Sequence, residues 1–444
     1  MLRFLIAGIA DFRNKGDVAI LEGTTNVLTS LGISITRFYS PYSKSWPICP
    51  FSNLKMEQMP SSDVFDKLIA HGLFGVYSGI LPAGTFLAPR LCYKTLSKLS
   101  KSNIINDLSS ADCVWQIGGS YLIHDSRFIQ ELLYILYLKN EWGRKKLVIL
   151  GGHSIGPFYS PISRFLASIF LSKSVDILLL REERSLEYLL HKLKIGLPYT
   201  RIISDFSFHV NPRHTNNVQE IFKDIDIIKD KSSSGYVIGL SARPLFYQIW
   251  EREKNKRNIY LNFLVKFVKK LYDRGFSVVF YPSSTVPGPE NDTEIYNDIS
   301  RLLKIENASY GRRFTMLQTR QLSGSEAYAI PSKLDVMVAI RSHAAIAALK
   351  SFIPTIHIYY HHKGEGIIKH LRASVPCLNL DDLTSMKITP DELVKLVEQQ
   401  IKNYDEISED IRVSIKNRTS EDVSILQEIF EQIHKGHFLA GVPQ

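Results

Sequence analysis

Residues 335–349 read DVMVAIRSHAAIAAL, and this stretch decides the fold class. Its first half is a short apolar run, which is typical of a buried parallel strand. Its second half has the small residues of a helix that packs closely on a sheet. Arg341, Ser342 and His343 stand between the two halves. A strand that leads directly into a helix is the repeating unit of a parallel α/β sheet.

The same alternation of short apolar runs and amphipathic stretches continues in both directions along the chain. The strand candidates are residues 2–9, 33–38, 113–117, 147–150, 177–180, 201–203, 236–240, 276–281, 334–339 and 355–359. The helix candidates between them are residues 18–31, 128–142, 162–171, 182–193 and 259–272. This order predicts βαβ units and therefore an α/β protein with parallel sheets.

A polar, weakly patterned stretch from about residue 211 to 235 separates two such series and has the composition of a linker. We therefore predict two Rossmann-like domains facing a cleft, formed by residues 1–225 and 226–389. Residues 390–444 are charged and helical in pattern, and we expect them to pack back on the domains.

The net charge of +10 favours anionic partners. The charge is spread along the chain without a basic arm, which disfavours nucleic acid as a partner. The four cysteines are widely spaced and form no CxxC pair, as expected in a reducing compartment without structural zinc. The N-terminus lacks the pattern of a signal peptide, so we expect a cytoplasmic protein.

One segment, Leu68–Pro89, is apolar and long enough to resemble a membrane span. Four glycines and two prolines interrupt it. Two interpretations stay open, a buried loop-helix segment and a peripheral contact with the inner face of a membrane.

Several polar residues follow the strand candidates of the N-terminal half, where ligands bind in α/β sheets. Gly16 and Asp17 come after the first strand, where glycine permits close approach and aspartate is a common N-cap. Two later strand ends carry glycine pairs, whose amides can reach a bound group. These are Gly118, Gly119 and Ser120, followed by Gly152, His153 and Ser154. The competing interpretation is that the glycines only make tight turns and that Asp17 and His153 are structural.

In the C-terminal half, the strongest candidate is the Arg341–His343 turn. An anion at the start of the following helix would meet a guanidinium, an imidazole and the helix dipole together. Arg243 follows another strand and is placed for a carboxylate or phosphate. The pair His361-His362 has no third ligand in pattern, so no metal site is predicted.

The ordered set of these motifs resembles the polysaccharide pyruvyl transferase family. The matching residues are 16–20 (GDVAI), 118–120 (GGS), 151–157 (GGHSIGP), 181–185 (REERS), 205 (D), 341–344 (RSHA), 354–359 (PTIHIY) and 363–364 (KG). Ser120 departs from the pattern, because many members carry a third glycine there. The resemblance implies a GT-B-like fold and transfer of a pyruvyl group from phosphoenolpyruvate to a sugar, giving a pyruvate ketal.

The resemblance also implies roles for residues. Arg341 would bind the donor with Arg243 beside it, and His343 is the candidate acid, since imidazole titrates near working pH. Asp17, His153 and Asp125 remain alternatives for the base that activates the acceptor. The other substrate-binding candidates are Ser342, Gly16, Gly118, Gly119, Ser120, Gly152, Ser154 and Lys363.

Apart from phosphoenolpyruvate as donor substrate, no cofactor or metal is expected. The expected acceptor is a sugar of a glycan or a lipid-linked glycan. Two other functions stay open, a GT-B glycosyltransferase that uses a nucleotide sugar and a non-catalytic polysaccharide-assembly protein.

Overall fold

The computed structural model describes residues 2–8, 11–40, 55–58, 111–122, 147–196, 199–245, 254–288 and 290–436. The Leu68–Pro89 segment, the predicted helix at 128–142 and Asp125 lie outside these ranges. The chain forms two compact units. Unit 1 comprises residues 1–12, 23–209 and 418–444, and unit 2 comprises residues 13–22 and 210–417.

Unit 1 contains a parallel sheet of seven strands in the order β3-β2-β1-β4-β5-β6-β7. The strands are β1 (Arg3–Ala7), β2 (Ser34–Ser40), β3 (Lys55–Gln58), β4 (Cys113–Leu122), β5 (Leu147–Ile155), β6 (Ile177–Leu180) and β7 (Tyr199–Ile202). The strand order reverses between β1 and β4, as it does in Rossmann folds. Strands β5 and β6 are buried along their whole length, which explains their continuous apolar runs.

Unit 2 contains a second parallel sheet, of six strands, in the order β10-β9-β8-β11-β12-β13. The strands are β8 (Val237–Ser241), β9 (Ser277–Phe280), β10 (Thr315–Met316), β11 (Val336–Ala339), β12 (Thr355–Tyr359) and β13 (Cys377–Asn379). Here the order reverses between β8 and β11, again as in Rossmann folds. The predicted α/β class with two Rossmann-like sheets is confirmed.

Helices connect these strands. They are α1 (Lys15–Ser30), α2 (Pro161–Ser174), α3 (Glu183–Tyr188), α4 (Asn216–Asp230), α5 (Lys254–Asp273), α6 (Asp292–Glu306), α7 (Ala308–Arg313), α8 (Gly324–Ala329), α9 (Ser342–Lys350), α10 (His362–His370), α11 (Leu380–Thr384), α12 (Pro390–Lys402) and α13 (Tyr404–His434). Helices α1 and α13 each contribute residues to both units. Among the described helices, none combines the length and the apolar character needed to cross a membrane.

The predicted linker at residues 211–235 is wrong, because most of it forms α4. One face of this helix is buried, and its members follow helical spacing: Val218, Ile221, Phe222 and Ile225. Val218 and Phe222 pack with Ala329 of α8 in a small core cluster. The sequence suggested a linker because the polar residues of α4 outnumber the apolar residues of its buried face. The two units divide at residues 209–210, whereas the sequence suggested a boundary near 225.

The C-terminal segment is shared between the units. Helix α12 packs against α5 in unit 2. The later part of α13 belongs to unit 1, where the carboxylate of Asp422 accepts a hydrogen bond from the Ser204 N–H at 2.9 Å. The other oxygen of Asp422 lies 3.0 Å from Nε2 of His209.

The first turns of α1 are held within unit 2 by a buried carboxyl group. The carboxylate of Glu22 accepts hydrogen bonds from the N–H groups of Gly324 at 2.9 Å and Ser325 at 2.6 Å. Burial raises the pKa of Glu22 to about 7. The folded protein therefore retains a proton that the unfolded chain, with a pKa of 4.5 for this group, releases.

We expect Glu22 to destabilise the fold progressively as the pH rises from 4.5 to 7. The free energy of unfolding of the wild type minus that of Glu22→Gln should fall by about 3 kcal/mol across this window. Urea denaturation at a series of pH values measures this difference. Glu294→Gln, at an exposed position on α6, is the control for loss of one carboxyl group. A difference that stays constant with pH would contradict the assignment.

Candidate functional site

The carboxyl ends of β8 and β11 lie side by side where the strand order of the unit 2 sheet reverses. This reversal point is where open α/β sheets bind ligands. Ser241, the last residue of β8, pairs with Ala339, the last residue of β11. Arg243 and Arg341 each follow two residues later. The two arginines that the sequence placed at separate strand ends therefore leave adjacent strands.

The two guanidinium groups converge on one carboxylate, that of Glu290. Nη2 of Arg243 donates to Oε1 of Glu290 at 3.0 Å, and Nη1 of Arg341 donates to Oε2 at 2.7 Å. Nη2 of Arg341 also donates to the backbone carbonyl of Glu290 at 2.8 Å. Two guanidiniums that hold the two oxygens of one anion form a clamp for a carboxylate or a phosphate. We call Arg243 and Arg341 the arginine pair.

A second carboxylate fixes the opposite edge of Arg341. Nε and Nη2 of Arg341 donate to Oδ1 of Asp292 at 2.9 and 2.6 Å. Asp292 is fully buried, and its Oδ2 accepts from the N–H groups of Ser283 at 3.0 Å and Ser284 at 2.9 Å. Burial opposes the charge of Arg341, but the carboxylates of Asp292 and Glu290 outweigh it and raise the pKa of this guanidinium. Arg341 is therefore a permanent cation in a fixed orientation.

Arg243 is oriented by an aromatic side chain from the loop between β12 and α10. Its Nη1 donates to the hydroxyl of Tyr360, and its guanidinium carbon lies 4.9 Å from the centre of the Tyr360 ring. The hydroxyl of Tyr260 donates to the backbone carbonyl of Arg243 at 3.2 Å, which fixes the main chain. Hydrogen bonding and cation–π contact therefore hold Arg243 towards Glu290.

His343 lies at the second position of α9, and Arg341 occupies the N-cap position of this helix. Helix α1 reaches this imidazole because Gly16 has no side chain. A Cβ atom at position 16 would stand 2.2 Å from Nδ1 of His343. Asn14 caps this turn by accepting from the Gly16 N–H at 3.1 Å, so the predicted capping role of Asp17 is wrong. Asp17 lies within the first turn of α1.

A second helix start lies next to the first. A Cβ atom at Gly364, in the first turn of α10, would stand 3.0 Å from both Oγ of Ser342 and Nε2 of His357. His357 is buried, and burial lowers its pKa to about 4, so the imidazole is neutral. Its Nδ1 lies 2.9 Å from the carbonyl of Ala339. Its Nε2 has no hydrogen-bond partner among the described residues. Lys363 precedes Gly364 in the same turn.

The candidates of the N-terminal half form a separate group in unit 1, and the prediction that they lie in loops is wrong. Strand β4 continues to Leu122 and β5 to Ile155, so the strands themselves contain Gly118, Gly119, Ser120, Gly152, His153 and Ser154. A Cβ atom at Gly118 would stand 2.3 Å from the carbonyl oxygen of Gly152. The glycines here permit close packing of neighbouring strands.

Ser154 belongs to a buried polar network, and His153 is buried beside it. Burial and, to a lesser extent, the charge of Arg181 lower the pKa of His153 to about 3. Nε of Arg181 donates to Oγ of Ser154 at 2.8 Å, and its Nη1 pairs with Asp205 at 2.5 Å. Arg181 thus contacts both Ser154 and Asp205, and these three motif residues connect the ends of β5, β6 and β7.

Three residues of the unit 2 site were missed by sequence reasoning, namely Glu290, Asp292 and Tyr360. Glu290 and Asp292 follow the sequence Pro-Gly-Pro and lie at the start of a helix, where acidic residues are common because of the helix dipole alone. Their contacts with Arg341 cross about fifty positions of sequence, which no local pattern reveals. Within the described ranges, no group of three metal-ligating side chains occurs.

Comparison with known proteins agrees with the motif order. The family model described as polysaccharide pyruvyl transferase matches residues 14–362. The amylovoran biosynthesis protein AmsJ of Erwinia amylovora is 23% identical over 446 residues, which cover 97% of this chain and 100% of that protein.

Solved structures share the fold at low sequence identity. A glycosyltransferase from Rickettsia africae matches with a TM-score of 0.57 and 12% identity, over 99% of this chain and 100% of the other. The α,α-trehalose 6-phosphate synthase of Burkholderia multivorans matches with a TM-score of 0.55 and 13% identity, over 100% and 99%. The fold is that of the GT-B glycosyltransferases.

The contact between Gly16 and His343 predicts a specific coupling. Alanine is favoured over glycine inside a helix by about 1 kcal/mol, so any loss of stability in Gly16→Ala reports the collision with the imidazole. We expect Gly16→Ala to destabilise the protein by about 1–3 kcal/mol. In a His343→Ala background the loss should shrink by more than half, as measured by urea denaturation in a double-mutant cycle. Equal losses in both backgrounds would show that the two residues do not touch.

Proposed function

Because the chain belongs to the polysaccharide pyruvyl transferase family, we propose that it moves a pyruvyl group from phosphoenolpyruvate onto a sugar, forming a pyruvate ketal. One observation supports this reaction above the others. Arg243 and Arg341 leave adjacent strand ends and hold both oxygens of one carboxylate. Phosphoenolpyruvate carries a carboxylate and a phosphate, so the arginine pair suits a donor of this chemistry.

The proposed reaction starts with a proton. His343 donates it to the methylene carbon of phosphoenolpyruvate, which leaves an oxocarbenium-like centre at the carbon that bears the phosphate. A sugar hydroxyl attacks this centre and loses its proton to a base. A second hydroxyl of the same sugar then replaces the phosphate group at that carbon and gives its proton to the neutral His343. This closes the ketal, releases inorganic phosphate and restores the acid. Arg341 and Arg243 stabilise the anionic groups of the donor through these steps.

The base for the sugar hydroxyl is best assigned to Asp17. His153 is only 1% exposed, so a sugar hydroxyl does not reach its imidazole, whereas Asp17 is partly exposed. Asp17 follows Gly16, which touches His343, so it lies one residue from a contact of the proposed acid. The acceptor-binding role of Gly118, Gly119 and Ser120 stays a prediction.

The acceptor that we propose is a sugar of an exopolysaccharide or of its lipid-linked precursor. The family model is described by its action on a polysaccharide, and the relative from Erwinia amylovora, named for amylovoran biosynthesis, is similar along 97% of this chain. We propose that the protein works in the cytoplasm. Contact with the inner face of a membrane, through residues such as Leu68–Pro89, would bring it to a lipid-linked acceptor.

Incubation of the protein with phosphoenolpyruvate and candidate glycans tests this proposal. We expect mass spectrometry to detect a pyruvate ketal on the glycan and a phosphate assay to detect stoichiometric release. Nucleotide release from a sugar nucleotide, with no reaction of phosphoenolpyruvate, would establish a glycosyltransferase instead. Absence of both reactions across the acceptors would favour a non-catalytic role in polysaccharide assembly.

Variants of the site should lower turnover without loss of the fold. We expect His343→Gln to reduce kcat by about 10²–10⁴-fold, the usual contribution of a general acid. Arg243→Ala should raise KM for phosphoenolpyruvate by about tenfold or more, because one half of the clamp is lost. Lys173→Ala, on the exposed surface of α2, is the control. Normal turnover by His343→Gln would exclude the proton transfer.

Arg341→Ala is the less informative change. It would leave the fully buried Asp292 without its cationic partner, at a cost of about 3–5 kcal/mol. We therefore expect Arg341→Ala to lose stability as well as donor binding. Arg341→Lys keeps the charge but loses the planar fork, and it should keep the fold while weakening donor binding.

A further inference from the structure

We propose that the Glu290 carboxylate competes with the ligand for the arginine pair, and that it leaves when the anionic group of the substrate binds. Its present position, between Nη2 of Arg243 and Nη1 of Arg341, would then be the binding position of that group. The inference rests on the proposed function only for the identity of the ligand. It makes Glu290 a specificity-determining residue, because only an anion can replace it.

The two carboxylates on Arg341 differ in how they are held. Asp292 is 0% exposed and receives two backbone N–H groups in addition to the guanidinium. The side chain of Glu290 is 33% exposed, and its carboxylate faces the two arginines from the edge of the site. Removing Asp292 would leave buried donors unpaired. The Glu290 carboxylate, in contrast, can be hydrated by water if its side chain rotates away from the arginines.

Rotation of the Glu290 side chain would leave the framework of the site in place. Arg341 keeps its two bonds to Asp292 and its bond to the Glu290 backbone carbonyl, since none of the three involves the Glu290 carboxylate. Arg243 keeps its contact with Tyr360. One N–H group of each guanidinium is released, and both already point at the positions of two carboxylate oxygens. A planar carboxylate or two oxygens of a phosphate fit these donors.

The segment that leads to Glu290 has an exposed tip and a neck closed by a hydrogen-bonded bridge. Its neck is closed by an antiparallel bridge between Thr285 and Asn291, and Asn291 caps α6. Pro287 and Gly288 at its tip are exposed, and Gly288 has a φ of +90° with no atom near a Cβ position. Glu290 stands directly beside the fixed neck, so its side chain can turn outward while its backbone stays.

The net charge of the site explains why an anion would displace the Glu290 carboxylate. Arg243, Arg341, Glu290 and Asp292 together carry two positive and two negative charges. An anion that approached with Glu290 in place would meet a neutral cluster with a carboxylate at its entrance. Departure of Glu290 leaves a net charge of +1 at the site and removes the like-charge repulsion. Neutral sugars cannot drive this exchange.

Isothermal titration of phosphoenolpyruvate and of inorganic phosphate at low ionic strength tests the proposal. Glu290→Gln keeps the shape of the side chain and removes its charge. We expect it to bind both probes about five- to tenfold more tightly than the wild type, because two partly exposed ion pairs no longer compete. Glu290→Ala should give at least the same gain. Glu294→Gln, an exposed carboxylate on the following helix, should bind as the wild type does.

The outcomes separate this inference from the proposed function. Unchanged or weaker binding of both probes by folded Glu290→Gln and Glu290→Ala, checked by thermal melting, would show that Glu290 is a fixed part of the site and would overturn the inference. Tighter binding of phosphate without any binding of phosphoenolpyruvate would support Glu290 as the competitor and exclude the proposed donor. The double variant Arg243→Ala/Glu290→Gln should bind the probes no more tightly than the wild type. Tighter binding by this double variant would place the anion elsewhere and also overturn the inference.

Discussion

The ion pair between Arg341 and Asp292 is the interaction on which the site of unit 2 depends. Asp292 begins α6 and binds the chain that leaves β9, while Arg341 lies between the end of β11 and the start of α9. One buried charge pair thus joins two strand ends and two helix starts. A buried carboxylate persists in its charged form only when its oxygens are hydrogen-bonded, and four donor contacts to Asp292 satisfy this condition.

Arg341 and His343, which lie in the same turn, have different roles. Arg341 is mainly an anchor, and its remaining Nη1 acts with Arg243 on one anion. His343 stands one residue into the helix, where α1 approaches it through Gly16. Asp292 holds Arg341 rigidly and Glu290 holds it loosely. The same guanidinium can therefore stabilise the fold through Asp292 and bind a ligand in place of Glu290. The fold therefore keeps its framework while the ligand position exchanges occupants.

Much of the fold was predictable because buried parallel strands and amphipathic helices leave periodic patterns. The strands at 177–180 and 355–359 coincide with the structure, and Arg243 and Arg341 were found because they follow strands. Glu290 and Asp292 were not found, because their meaning lies in contacts with residues far along the chain. Gly118 and Gly152 were misplaced because a glycine pair indicates a turn, whereas here it lets two strands continue side by side.

The discontinuous course of the chain through the two units has a practical consequence. Residues 13–22 belong with residues 210–417, although nearly two hundred residues of unit 1 intervene. A fragment that began at Val210 would lack Lys15, whose ammonium group donates to the carbonyls of Arg320 and Leu322, and would lack Gly16 beside His343. Separately expressed halves would each lack residues that the other half encodes. Chimaeric proteins that combine units from this chain and a relative should therefore exchange residues 13–22 together with the C-terminal half.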